Sequence, residues 1–235
     1  MARMNKAPEL SVMIPCLNES ARLPLLLADL RRSELSLEIL LADGGSSDAT
    51  AQIAGLVGAH LIGVHPAGRG RQLRAAAARA RGDWLLFLHA DSRLPQQWSA
   101  WLTTLLQGSS ADASAWYFDL RISPSTPARR LLERAVGLRS RWLQRPYGDQ
   151  GLLLHRGLYE RCGGFAELPL MEDLELVERL SRIAELRRIG LPLTTDGRRW
   201  QQEGVLRRSW RNARLRRRWR QGESAAQLAK AYYGP

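Results

Sequence analysis

Four short apolar runs, each closing on polar or glycine residues and each followed by a helix-like stretch, constrain this chain more than any other feature. They are "ELSVMIP" (9–15), "LEILLAD" (37–43), "HLIGV" (60–64) and "DWLLFLHAD" (83–91). Between them lie "ESARLPLLLADLRR", "SDATAQIAGLVG" and the alanine-rich "GRQLRAAAARA". Near-continuous apolar strands belong to a sheet covered on both faces, and strand–helix alternation predicts a mostly parallel α/β fold. After Asp91 the rhythm changes. "PQQWSAWLTTLLQ" reads as a helix, "ASAWYFDLRI" as a strand, "PARRLLERAVGLRSRWL" as a helix, "QGLLLHR" as a strand and "MEDLELVERLSRI" as a helix. These elements are expected to complete the same sheet, giving one domain over 1–204 and a basic helical extension over 205–235.

With 235 residues, 45% hydrophobic and 25% charged, the composition is that of a soluble globular chain. No apolar run approaches the ~18 residues of a membrane-spanning helix. The opening "MARMNKAPEL" lacks a secretory apolar stretch, so a cytoplasmic location is expected. Cys16 and Cys162 show neither CxxC spacing nor a disulfide framework and read as buried thiols. Much of the +12 net charge lies in "RRSWRNARLRRRWR" (207–220), a stretch without an acid. That is a basic tail rather than a basic protein.

Ligands of open α/β sheets bind beyond the carboxyl ends of the strands. The four runs end in "PCLNES", "ADGGSSD", "HPAGRGR" and "HADSRLP", all polar, glycine-rich or charged. In "ADGGSSD", Ser46, Ser47 or Asp48 suits a helix cap, which does not explain Asp43 equally well. Arg69 and Arg71, at a helix start, suit phosphate. The GxG around Arg69 lacks the third glycine of a dinucleotide fingerprint and sits in the wrong turn. His89 and Asp91 stand two apart at the end of an apolar run, where a strand would aim both to one side. A carboxylate there suits a hard divalent ion such as Mn²⁺ or Mg²⁺, with His89 either a further ligand or a packing neighbour.

Five segments in this order, "SVMIPCLNE", "ADGGSSDAT", "GRGRQLRAAAARARGDWLLFLHAD", "GDQGLLL" with "CGGF", and "MEDLEL", resemble family 2 glycosyltransferases of the GT-A fold. The resemblance covers about residues 9–204 and points to the bacterial radical-SAM/selenodomain-associated transferase subgroup. It implies a nucleotide-diphosphate-sugar donor, with Pro15, Asn18, Glu19 and Asp43 around the nucleoside and Arg69 and Arg71 near its phosphates. "HAD" occupies the place of the family's Asp-x-Asp motif, so Asp91 would hold the metal and His89 replaces an acid. "MEDLEL" implies Asp173 as catalytic base with Glu172 beside it. "RRW" (198–200) is similar to the end of a motif in processive relatives, but Asp196 stands where a Gln or Arg belongs.

The implied reaction is sugar transfer with inversion, to an acceptor hydroxyl that a lipid could carry. A sugar nucleotidyltransferase is the rival enzyme reading, although "PCLNES" is not its glycine-rich loop. A nucleic-acid-binding protein acting through the tail leaves the strand ends unexplained. The tail reads either as a solvated basic helix closing over the domain or its partner subunit, or, with Trp210 and Trp219 among the arginines of 207–220, as suited to an anionic membrane surface, which would make the protein peripheral at the inner face.

Overall fold

The four apolar runs form parallel strands. In this computed structural model, which describes residues 8–108 and 111–234, they are β1 (Leu10–Cys16), β2 (Leu37–Asp43), β3 (His60–Gly63) and β4 (Trp84–Phe87). Most of "MARMNKAPEL" thus lies outside the described residues. Three more strands, β5 (Ser114–Ser123), β6 (Leu152–His155) and β7 (Glu185–Asp196), extend the sheet in the order β3-β2-β1-β4-β6-β5-β7. β6 runs antiparallel to both neighbours, and β5 pairs with β7 in parallel.

The connecting helices are α1 (Leu23–Arg31), α2 (Thr50–Leu56), α3 (Arg69–Ala77), α4 (Trp98–Leu106), α5 (Pro127–Leu143), α6 (Arg156–Arg161) and α7 (Glu172–Leu180). After β7 come α8 (Arg198–Glu203), α9 (Val205–Arg220) and α10 (Ala225–Tyr233). Side-chain alternation on β1 explains the two layers. Val12 and Ile14 pack with Leu26 of α1 and Trp98 of α4, while Met13 faces Leu73 of α3 and Leu176 of α7. Both faces are apolar because both are covered. No described helix is long and apolar enough to cross a membrane. Cys16 and Cys162 are buried and free, and burial pushes both thiols up.

The structure departs from the sequence reading in two places. β4 stops at Phe87, and the Ser92 N–H donates to the His89 carbonyl at 3.1 Å, so His89 and Asp91 lie on a turn beyond the strand. β7 was not expected at all. Its arginines, Gly190 and Pro192 hide the pattern, and its few buried residues serve both layers: Leu186 packs with the Met13 layer, Ile189 and Leu193 with the Val12 layer. Of the readings open for the basic tail, the structure has it closing over the domain: Leu215 of α9 and Leu228 of α10 pack against Leu170, Met171 and Leu174 at the start of α7.

Candidate active site

The loops after β1 and β2 are tied together by side chains. Asn18, with a φ of 55°, accepts at Oδ1 from the Ser47 N–H (2.9 Å), and its own N–H donates to Ser46 Oγ (2.9 Å). Asn tolerates this left-handed conformation better than most residues. Asp43 closes the β2 turn, accepting at Oδ2 from the Gly45 (3.2 Å) and Ser46 (3.0 Å) N–H groups. The serines therefore brace loops rather than cap α2. Asp48 does the capping work, accepting from the Thr50 N–H at 3.0 Å. Pro15 is half-buried at the end of β1, beside the exposed Asn18.

The other end of the site is a cleft of about 250 Å³ lined by Arg69, His89, Asp91, Glu172 and Asp173, with Asp149 beside them. Arg69, first residue of α3, approaches Glu172 with Nε–Oε1 at 3.1 Å and touches His89 Nε2 with its terminal nitrogen. Burial opposes the Arg69 charge, but Glu172 and then Asp173 outweigh it and raise its pKa. Burial, then Arg69, lowers the pKa of His89 well below the usual range, so its ring is neutral. A neutral imidazole whose Nε2 faces a guanidinium offers that lone pair to Arg69 and not to a metal ion. Gly70 allows the approach of the 166–168 segment, since a Cβ there would lie 2.2 Å from the Ala166 carbonyl oxygen.

Glu172 and Asp173 share the first turn of α7 but differ in access. Glu172 is 1% exposed and pairs with Arg69, whereas the half-buried Asp173 accepts at Oδ2 from the Gly148 N–H at 2.8 Å. Gly148 is where these groups meet: a Cβ there would sit 2.8 Å from His89 Nε2 and 3.2 Å from Asp173 Oδ2. Asp91 accepts from Thr195 Oγ1 at 3.3 Å; burial raises its pKa, against the pull of Arg199. Glu19 is raised by burial and then by the Asp91 charge, which brings the ends of β1 and β4 into one electrostatic unit.

Arg71 does not join them. It ties to the Pro66 carbonyl at 2.8 Å and to Glu167 at 3.4 Å, outside the cleft lining. Residues i and i+2 of a helix point to different sides, so one α3 start cannot aim both arginines at one ligand. The structure also brings in residues that the sequence reading passed over: Asp149, Thr195, Arg199 and Tyr232, and the arginines Arg139, Arg208 and Arg216 from α5 and α9. "GDQG" contained a signal for Asp149, and "RRW" one for Arg199; nothing in the tail marked Arg216 apart from its neighbours.

Among the described residues, no three His, Cys, Asp or Glu side chains form a cage for a metal ion. A buried carboxylate that lacks a cation suits instead the mode in which one or two acids and substrate phosphates share Mg²⁺ or Mn²⁺. Asp91 meets that description.

Such a site, at the carboxyl ends of a GT-A sheet, defines an enzyme of the glycosyltransferase class. The chain belongs to glycosyl transferase family 2, whose sequence profile matches residues 11–166. It is similar to a PGL/p-HBAD biosynthesis glycosyltransferase of Mycobacterium bovis, with 41% identity over 37% of this chain and 37% of that protein. A 4,4'-diaponeurosporenoate glycosyltransferase of Staphylococcus haemolyticus is 34% identical over 36% of this chain and 24% of its own length. The match thus spans 37% of the length of the first relative and 24% of the second. In fold it resembles S. aureus TarS in complex with UDP, with TM-score 0.65, 16% identity, and coverage of 80% of this chain and 60% of that one. Glucosyl-3-phosphoglycerate synthase from Mycobacterium tuberculosis with Mn²⁺, UDP and glucosyl-3-phosphoglycerate gives TM-score 0.57 and 22% identity, covering 80% and 72%.

Proposed function

We propose that this glycosyltransferase moves a sugar, with inversion, from a nucleoside-diphosphate donor to an acceptor hydroxyl. The observation that carries this reading is the position of Asp173 at the mouth of α7, held by the Gly148 N–H beside Arg69 and His89. As the acceptor oxygen attacks the anomeric carbon, Asp173 takes its proton. The bond to the diphosphate breaks, and the leaving nucleoside diphosphate carries away the electron pair. Arg69, held protonated by Glu172 and Asp173, stabilises that growing charge, and Glu172 positions Arg69. Asp91 would hold a divalent ion, Mn²⁺ or Mg²⁺, which would supply positive charge against the diphosphate. Pro15, Asn18, Glu19 and Asp43 surround the nucleoside, and Arg71 remains at its periphery.

The UDP, UDP-GlcNAc and Mn²⁺ of the fold neighbours support this donor chemistry. Family membership sets aside the nucleotidyltransferase alternative. Ion pairs of Arg208 and Arg211 with Glu203, Arg218 with Glu223 and Arg220 with Glu178 weaken the nucleic-acid one. Within this reading residues 1–204 are the transferase domain and 205–235 an extension that closes the cleft; membership of the radical-SAM/selenodomain-associated subgroup rests on motif order. Exposed Leu206 and Trp210, with Arg207, Arg214 and Arg217 on the same helix, support a peripheral contact with anionic membrane that could carry a lipid-linked acceptor. Incubation with nucleotide sugars, Mn²⁺ and an acceptor panel tests the reaction. Release of nucleoside diphosphate with an inverted glycoside is expected; pyrophosphate release, or retention, would overturn it.

A further inference from the structure

Deep in the cleft, Tyr147 lies against two guanidinium groups from helices far apart in the chain. The Cζ of Arg139, on α5, is 3.9 Å from the ring centroid, and that of Arg216, on α9, is 5.5 Å away. Arg139 is steadied by the Arg145 carbonyl (Nε, 3.1 Å) and by Gln150 Oε1 (Nη2, 3.4 Å), both neutral acceptors. Among the described residues neither arginine has a carboxylate within ion-pair distance, unlike most other arginines of α9 that face acids. Asp149 has a buried Oδ1 without a hydrogen-bond partner; burial raises its pKa and the Arg139 charge opposes that. Burial lowers the Arg216 pKa, with Arg139 adding to the effect and Tyr147 and Asp149 opposing it. Two half-buried like charges held together cost free energy unless a ligand neutralises them.

The same cleft holds Asp173, and Leu120, Val136 and Leu215 give it an apolar wall. A molecule there would meet a base at one end and paired guanidiniums at the other. Arginine's planar fork matches phosphate oxygens in bidentate geometry. We propose that the acceptor is a phosphorylated hydroxyl compound whose phosphate binds between Arg139 and Arg216 while its hydroxyl faces Asp173. The proposal rests on the transferase reading above and adds the acceptor class to it. It also gives α9 a role: the basic tail completes the acceptor pocket.

The test is calorimetry on the full chain saturated with UDP and Mn²⁺, titrated with glycerol phosphate and, separately, with glycerol. UDP affinity, measured alone, reports the donor site and separates its failure from failure of the acceptor assignment. Glycerol phosphate should bind the UDP-loaded protein and glycerol should not. The Arg139→Gln/Arg216→Gln pair should weaken phosphate binding by about tenfold or more, as loss of charge-assisted hydrogen bonds implies, with UDP affinity unchanged. Arg31→Gln, an exposed change on α1, should alter neither. Arg216→Lys, which keeps the charge, should recover part of the binding lost in Arg216→Gln; this shows that the loss is not one of folding.

A second arm uses phosphatidylcholine vesicles with and without phosphatidic acid. Retention by the acidic vesicles that depends on Arg139 and Arg216 assigns the phosphate to a lipid headgroup. Binding of glycerol phosphate alone assigns it to a soluble acceptor. Equal phosphate affinity in the double variant, displacement of glycerol phosphate by UDP, or binding of neither probe would overturn the proposal.

Discussion

Buried acids occur in two regions of this protein, and their surroundings differ. In the scaffold, Asp29 of α1 has no exposed surface, yet it accepts from Arg93 Nε (2.7 Å), Arg32 (2.6 Å) and the Leu94 N–H (3.0 Å). Glu38 of β2 accepts from Ser11 Oγ (2.6 Å) and Arg81 Nε (2.9 Å). Burial alone would raise both pKa values, but these donors, Arg93 and Ser11 foremost, outweigh it and lower them. Around the cleft, Glu19, Asp91, Asp149 and Glu172 are all raised, with burial the largest cause in each. The scaffold satisfies its carboxylates from within the chain. Glu172 pairs with Arg69, but among the described residues Asp91 and Asp149 have no ion-pair partner, as suits a site that receives a cation and a substrate from outside.

If that division holds, changes in the cleft should damage transfer and leave folding intact, while changes in the scaffold should do the reverse. The largest effect is expected from Asp173→Asn, with turnover falling by about 10²-fold or more and UDP binding retained. Steady-state kinetics with parallel calorimetry would show it; near-normal turnover would move the base to Asp149 or Glu172. Gly148→Ala comes next, because its Cβ would push on His89 and Asp173. A loss of about tenfold in turnover is expected, since sub-ångström misplacement of reacting groups is costly. Turnover equal to that of the parent would show that the 148 loop does not set the position of Asp173.

Asp29→Asn belongs to the other region. It should cost about 2 kcal/mol in denaturant unfolding, less than for a fully buried pair because Arg93 and Arg32 are half-exposed. The sign of its pH dependence follows from its lowered pKa. The Asp29 contribution is present above the unfolded-state pKa and is lost as pH falls through the lower folded value. Asp149→Asn is the smallest expected change and has the opposite sense. A raised folded pKa means a favourable contribution below the unfolded pKa that is lost as pH rises through the folded one. Removing the charge should therefore be neutral or stabilising by up to about 1 kcal/mol near pH 7, shrinking as pH falls. A destabilised Asp149→Asn would place Asp149 with the scaffold acids.

The two regions also differed in how far the sequence revealed them. Strands β1 to β4 are apolar runs of local pattern, so the parallel half of the sheet could be read directly. β7 could not, because its buried residues, Leu186, Ile189 and Leu193, follow neither a continuous apolar run nor an alternation, and arginines and Gly190 stand between them. In the site, Asp43, Asp91, Glu172 and Asp173 stood out as acids at element ends. Arg216 did not, because its meeting with Arg139 and Tyr147 depends on the packing of α9 through Leu215, which no local pattern records. For His89, residue type alone suggested a ligand; only the Arg69 contact reveals where its ring nitrogen is engaged.

The central claim is that Asp91, which has no ion-pair partner among the described residues, awaits a divalent cation carried with a diphosphate. Calorimetric titration of UDP into the parent and Asp91→Asn proteins, each with and without Mn²⁺, tests it most directly. The expected result is Mn²⁺-dependent UDP binding in the parent and its loss in Asp91→Asn, with the melting temperature of the variant unchanged or raised. Undiminished Mn²⁺-dependent binding in Asp91→Asn would contradict it.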